Sequence, residues 1–173
     1  MRGRPPIVGA PGTYRDRLPG GDDAWLRRSA GLRSGPAGHR IALTRNIAEI
    51  SRLNGWVEDC CRDAGIARDT AFKVKLALEE TVANVIQHAF RGIPAPHRIK
   101  VQLDIAAACV TAVVTDNGRP FDPSTASEPD VSLPLERRHP GGLGILLLHR
   151  MVDRIEYHRT GGRNRLRLEK DRG

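Results

Sequence analysis

Residues 71–90 read AFKVKLALEETVANVIQHAF, and three polar side chains within them, Glu80, Asn84 and His88, recur every four residues. On a helix that spacing stacks all three on one face, while Phe72, Val74, Leu78, Val82, Val85, Ile86 and Ala89 supply a broad apolar stripe elsewhere. One face packs and the other offers chemistry. Glu80 is suited to general-base work. Asn84 can offer its side-chain oxygen to Mg2+, a hard cation that prefers oxygen ligands and often completes its shell with phosphate. A solvated helix face also carries Glu and Asn, and His88 equally suits a histidine satisfied near the helix end.

Working outward, Asp69 is placed to cap this helix, and Gly92 and Pro94 to stop it. Before it, Arg40 to Thr44 reads as a short strand, and Asn46 with Glu49 resembles a capping box. The helix so opened places Ile47, Ile50, Leu53, Val57, Cys60 and Ala64 at spacings of three or four and ends at Gly65. After the central helix, Arg98 to Ile105 and Val110 to Thr115 read as strands joined at Ala106 to Ala108. Asn117 to Pro140 carries five prolines and no period, a long loop of the kind that is usually functional or disordered. Gly141 to Gly144 opens a helix over Ile145 to Met151. Strands near Arg154 to Arg159 and Arg163 to Glu169 flank a Gly161-Gly162 turn. The order predicts an α+β fold: a two-layer sandwich with helices on one face of a mixed, mostly antiparallel sheet.

Two further polar stations follow the helix face. Thr115-Asp116-Asn117-Gly118 fits a tight turn, because Asn and Gly tolerate positive φ. It also fits base recognition: a carboxylate at a strand end can accept from an adenine amino group, and Gly118 lets backbone come close. Gly141-Gly142-Leu143-Gly144 can present free backbone N–H groups and a positive helix end to phosphate, or act as a hinge. No Gly-Lys-Ser/Thr follows, so it is not a Walker A loop. Arg137, Arg138 and His139 precede it and could meet phosphate oxygens or solvate the loop.

Charge and composition narrow the classes. The formal charge is +8, of which residues 1–40 hold +5: eight Arg against Asp16, Asp22 and Asp23. The remaining chain is weakly basic and lacks the clustered Lys, Arg and aromatics of a single-strand binding surface, so direct nucleic-acid binding is not expected. Residues 1–38 hold eight Gly and five Pro without apolar period and are expected to be a disordered tail ahead of one domain, 39–173. Cys60, Cys61 and Cys109 have no metal-site spacing and read as reduced core residues. No apolar run is long enough for a membrane span, which points to a cytoplasmic protein.

The three stations together, E-x-x-x-N on a helix, D-x-G after a strand, then a long loop and G-G-x-G on a helix, resemble the Bergerat-fold ATPases. That superfamily includes gyrase, histidine kinases and MutL. The wording ALEETVANVIQHAF, VTDNGRPFDP and GGLGILLLHRMVD is most similar to bacterial anti-sigma-factor serine kinases, over about Arg40 to Lys170. The resemblance implies ATP and Mg2+ as cofactors, Glu80 as catalytic base, Asn84 as Mg2+ ligand, Asp116 as adenine reader with Gly118 its glycine, and Gly142 and Gly144 at phosphate. Arg138, Gly141 and Leu143 join them as nucleotide-binding candidates. The implied reaction transfers the γ-phosphoryl group to a serine of a STAS-domain anti-anti-sigma factor. Sequestration of a sigma factor and a homodimer are implied as well. An ATP-responsive binding module with little transferase activity, and a histidine-kinase domain detached from its phosphoacceptor, are the alternatives. One departure stands out: the family often has Gly-Thr entering its last strand, with the hydroxyl near phosphate, where this chain has Gly162-Arg163-Asn164.

Overall fold

A computed structural model describes residues 38–124 and 142–172. The expected tail, apart from Gly38, and most of the long loop lie outside the described residues. The elements run β1 (His39–Leu43), α1 (Glu49–Asp63), α2 (Arg68–Asn84) with a π-helical turn (Val85–Ala89), β2 (Ile99–Ile105), β3 (Cys109–Asp116), α3 (Gly142–Met151), β4 (Arg154–Thr160) and β5 (Arg163–Asp171).

The strands form one sheet in the order β1-β2-β3-β5-β4. Every pairing among the described residues is antiparallel, so the mixed character expected of the sheet has no counterpart there. The reason is topological. β4 runs in the same direction as β3, but the β4–β5 hairpin folds back and inserts β5 between them. One face of the sheet is apolar: Ile99, Val101, Leu103, Val110, Ala112, Val114, Leu166 and Leu168 are all buried on it. Against it pack Leu53, Val57, Cys60 and Cys61 from α1, and Val74, Ala77, Leu78 and Val82 from α2. Burial pushes the Cys61 thiol up to about 11, which keeps it protonated and inert. Cys109, by contrast, is only partly buried.

Several local expectations change. Asn46 does not form a capping box with Glu49. Its Oδ1 accepts from Ala48 N (3.0 Å), and Glu49 reaches back to the hydroxyl of Thr44 (2.8 Å) and takes Arg52 Nε (2.6 Å). Asp69 lies inside the first turn of α2, whose N-cap is Ala67, and pairs with Lys73 instead of capping. Ile47 and Phe72, counted in the apolar stripes, are each 54% exposed. Ile47 precedes α1, and Phe72, between the buried Thr70 and Val74, lies on the outer side of α2 with Lys75 Nζ 5.8 Å from its ring. Gly65 ends α1 at φ +64°, and Gly161 and Gly162, at +54° and +74°, make the β4–β5 turn as a two-residue hairpin demands.

The central helix does not run on as one α-helix to Phe90. After Asn84 it widens into the π-helical turn, a local form found mostly as single turns and often at functional sites. The wider turn buries Ile86 and leaves His88 exposed. Arg45 Nε donates to Ile86 O (3.4 Å), and its guanidinium lies 5.8 Å above the Phe90 ring, holding this helix end.

Candidate functional site

The α2 face, the β3 end and the start of α3 meet around a cavity of about 480 Å3. That size lies within the range of roughly 300–1,000 Å3 common for small-molecule sites. Asn84 and Val85 line it from the central helix, Asp116 from β3, Phe121 from the loop, and Tyr157 and Asn164 from the final hairpin.

From the helix face Asn84 lines the cavity, whereas Glu80 and Gly144 lie beside it, outside the lining. Of the adjacent acids, Glu79 turns towards α1 and accepts from Asn54 Nδ2 (2.8 Å), whereas Glu80 turns towards α3. A Cβ built on Gly144 would lie 2.6 Å from Glu80 Oε2 and 3.7 Å from Asn84 Nδ2. The first turn of α3 therefore packs directly over both polar side chains, and only a glycine leaves the carboxylate where it is. Gly142 starts α3, so backbone N–H groups of its first turn lack intrahelical partners. Arg138 and Gly141 lie outside the described residues, as does the Leu143 side chain. His88 lines the cavity one turn beyond Asn84 with its side chain exposed, rather than buried against the helix end.

Asp116, which also lines the cavity, is 6% exposed. Burial pushes its carboxyl above the usual range. Hydrogen bonds from Gly118 N (2.7 Å) and Asn164 Nδ2 (2.8 Å), and the charge of Arg159, pull the other way. Gly118 has a packing reason that sequence did not supply. A Cβ there would lie 2.6 Å from Ala89 O and 2.7 Å from Ala89 Cβ, where Arg119 N also donates to Ala89 O (2.8 Å). The turn and the end of the central helix are thus locked backbone to backbone. Asn117 serves the same turn, accepting from Arg98 N (2.7 Å) and donating to Pro96 O (2.9 Å). The chain bends here without the positive φ expected of Asn117 or Gly118, and the bend leaves the Asp116 carboxylate lining the cavity.

Asn164, Tyr157 and Arg159 were absent from the sequence-derived site. Asn164 was noted only as a departure from the expected hydroxyl near phosphate. The structure puts it beside Asp116, because these two residues face each other in the β3–β5 register. The Gly161-Gly162 turn was legible and fixes Arg159 opposite Asn164 and Tyr157 opposite Leu166. That β5 would then dock beside β3 was not legible.

Comparisons with known proteins bear on the family and the fold. A family profile described as histidine kinase-like ATPase domain matches residues 43–170. This chain belongs to that family. Among similar proteins, the serine/threonine-protein kinase BtrW of Bordetella bronchiseptica is 33% identical over 65% of this chain and 79% of its own. The serine-protein kinase RsbW of Listeria monocytogenes is 29% identical over 57% of this chain, and the match spans 65% of that relative's length. The RsbU and RsbW domains of a Mycobacterium tuberculosis protein superpose with a TM-score of 0.57 at 16% identity, covering 81% of this chain and 34% of that one. That likeness concerns the fold. Among the described residues of this ATPase-family domain, no helix is long and apolar enough to cross a membrane.

Mg2+ is implied by the family. No group of three His, Cys, Asp or Glu side chains is placed to hold a metal among the described residues. That suits Mg2+ well enough, since it is usually held by one or two protein oxygens with substrate phosphates and water. Asn84, one turn from Glu80 and beneath the start of α3, is a donor of that kind.

Proposed function

We propose that this domain binds Mg-ATP with adenine at Asp116 and phosphates at the start of α3, and transfers the γ-phosphoryl group to a serine of a STAS-domain anti-anti-sigma factor. The observation that carries this reading is that one cavity is lined both by the buried Asp116 and by Asn84, beside which Gly144 packs against Glu80. A nucleotide spanning the cavity would have its base at the buried carboxylate and its phosphates against the first-turn N–H groups of α3, which have no intrahelical partners. The names of the kinase relatives support the same reading.

Glu80 would take the proton of the serine hydroxyl as its oxygen attacks the γ-phosphorus, with ADP leaving. Asn84 would hold Mg2+, which when bound neutralises charge on the phosphate oxygens. The backbone of Gly142 and Gly144 would orient the β- and γ-phosphates, and Arg138 would add positive charge. Such transfer depends mainly on positioning and charge neutralisation, so the chain needs no covalent intermediate. Sequestration of a sigma factor, a homodimeric form and a cytoplasmic setting belong to the same proposal.

The test is phosphoryl transfer from labelled Mg-ATP to a STAS-domain protein encoded alongside. Label is expected on the wild-type STAS protein and not on its Ser→Ala form. Glu80→Ala should keep nucleotide binding and lose transfer. Undiminished transfer by Glu80→Ala would remove Glu80 as base. Tight ATP binding with no transfer by the wild type would favour a nucleotide-responsive binding module.

A further inference from the structure

Asn164 sits 5% exposed in the cavity wall with both ends of its carboxamide engaged. Its Oδ1 accepts from Tyr157 Oη (2.8 Å) and from Arg159. An amide facing a hydroxyl and a guanidinium must present oxygen to the guanidinium, which can only donate. The orientation of the group is thereby fixed, and Nδ2 is turned to Asp116 Oδ1 (2.8 Å) and Arg119 O (2.9 Å). Oδ1 of Asp116 also accepts Gly118 N (2.7 Å), so two donors occupy it. No described residue bonds Oδ2. Asp116 lines the cavity, and Oδ2 is the acceptor it has left for a ligand.

The number of open oxygens bears on which purine is accepted. A carboxylate with both oxygens open can take the neighbouring N1–H and 2-amino donors of guanine side by side. A carboxylate with one open oxygen suits a single amino group, such as the 6-amino group of adenine. Asn164 itself has no spare donor or acceptor directed at a base.

We propose that Asn164 is a positioning residue that makes the site select 6-aminopurine over 6-oxopurine nucleotides, by occupying Oδ1 of Asp116 so that Oδ2 alone faces the base. Tyr157 and Arg159 serve this role by holding the amide in one orientation. The inference rests on Asp116 being the base-reading group.

The test is equilibrium binding of non-hydrolysable ATP and GTP analogues to the wild type, Asn164→Ala, Asn164→Leu and Asp116→Ala. Asn164→Leu keeps the approximate shape of the side chain while removing the donor to Asp116 without adding a second carboxyl beside it, so it remains informative if the alanine variant does not fold. The wild type should prefer the ATP analogue. Both Asn164 variants should narrow the ATP-to-GTP affinity ratio by about tenfold, the scale of one hydrogen bond to a charged group. A purely structural role would weaken both nucleotides alike, and an unchanged ratio in both variants overturns the proposal. If Asp116→Ala binds the ATP analogue as the wild type does, the base-reading assignment itself falls, and the inference with it.

Discussion

Replacing Gly118 by alanine separates two reasons for that glycine. Its added Cβ would lie 2.6 Å from Ala89 O, 2.7 Å from Ala89 Cβ and 2.9 Å from Ala89 C. These are backbone and Cβ atoms with no rotamer to escape into, so the turn or the helix end must shift. Overpacking of this kind costs about 1–3 kcal/mol. The shift also strains the bonds from Gly118 N to Asp116 (2.7 Å) and from Arg119 N to Ala89 O (2.8 Å), each worth about 1 kcal/mol net. A loss of about 3 kcal/mol follows, or a fall in Tm of about 10 °C for a domain of this size. The assay is thermal unfolding without nucleotide, beside Gly55→Ala. Gly55 is an exposed helix position with nothing within 4 Å of its Cβ, and alanine there should add about 0.5–1 kcal/mol. If Gly118 is required only for approach of a base, Gly118→Ala will melt within about 2 °C of the wild type and lose only its stabilisation by nucleotide. That result would refute the packing argument.

Gly144→Ala should behave in the opposite way. Its nearest obstacle, Glu80 Oε2 at 2.6 Å, is the end of a flexible side chain that can swing aside. Melting should move little, whereas single-turnover phosphoryl transfer should fall by about a hundredfold as the carboxylate is displaced; a wild-type rate would contradict the placement of Glu80. For Asp116 the sign follows from a carboxyl raised by burial above its ordinary value near 3.8. The folded state binds this proton more tightly than the unfolded chain, so ionised Asp116 costs stability above its folded value and costs nothing below the unfolded one. Asp116→Asn should therefore stabilise the nucleotide-free domain at pH 7, lose that advantage as pH falls towards the unfolded value, and no longer gain Tm from Mg-ATP. Melting curves at several pH values check this, and a variant less stable than wild type at pH 7 would reverse the sign.

Sequence by itself determined the order of the elements and most of the residues that pack, though Ile47 and Phe72, counted in the apolar stripes, stay exposed. Helical spacing over residues 71–90 and β-branched runs in β2 and β3 are local signals, set by the 3.6 and 2.0 residue periods of the backbone. The Gly161-Gly162 turn fixed the register of the last hairpin for the same reason, since two residues at positive φ permit little else. Sequence also selected Glu80, Asn84, Asp116 and the Gly142–Gly144 turn as a set. What it could not decide was which of these touch. Insertion of β5 between β3 and β4 is a pairing between residues 48 apart, and it alone brings Asn164 to Asp116. The approach of Gly144 to Glu80, and of Gly118 to Ala89, depends on how helices and turns settle on the sheet, where van der Waals contact rather than local propensity is the constraint. The π-helical turn carries no composition mark of its own, and with it came the exposure of His88. The central helix announced a chemical face; the tertiary structure decided that Gly144 covers its acid and that Asn164 tends the Asp116 carboxylate in the cavity wall.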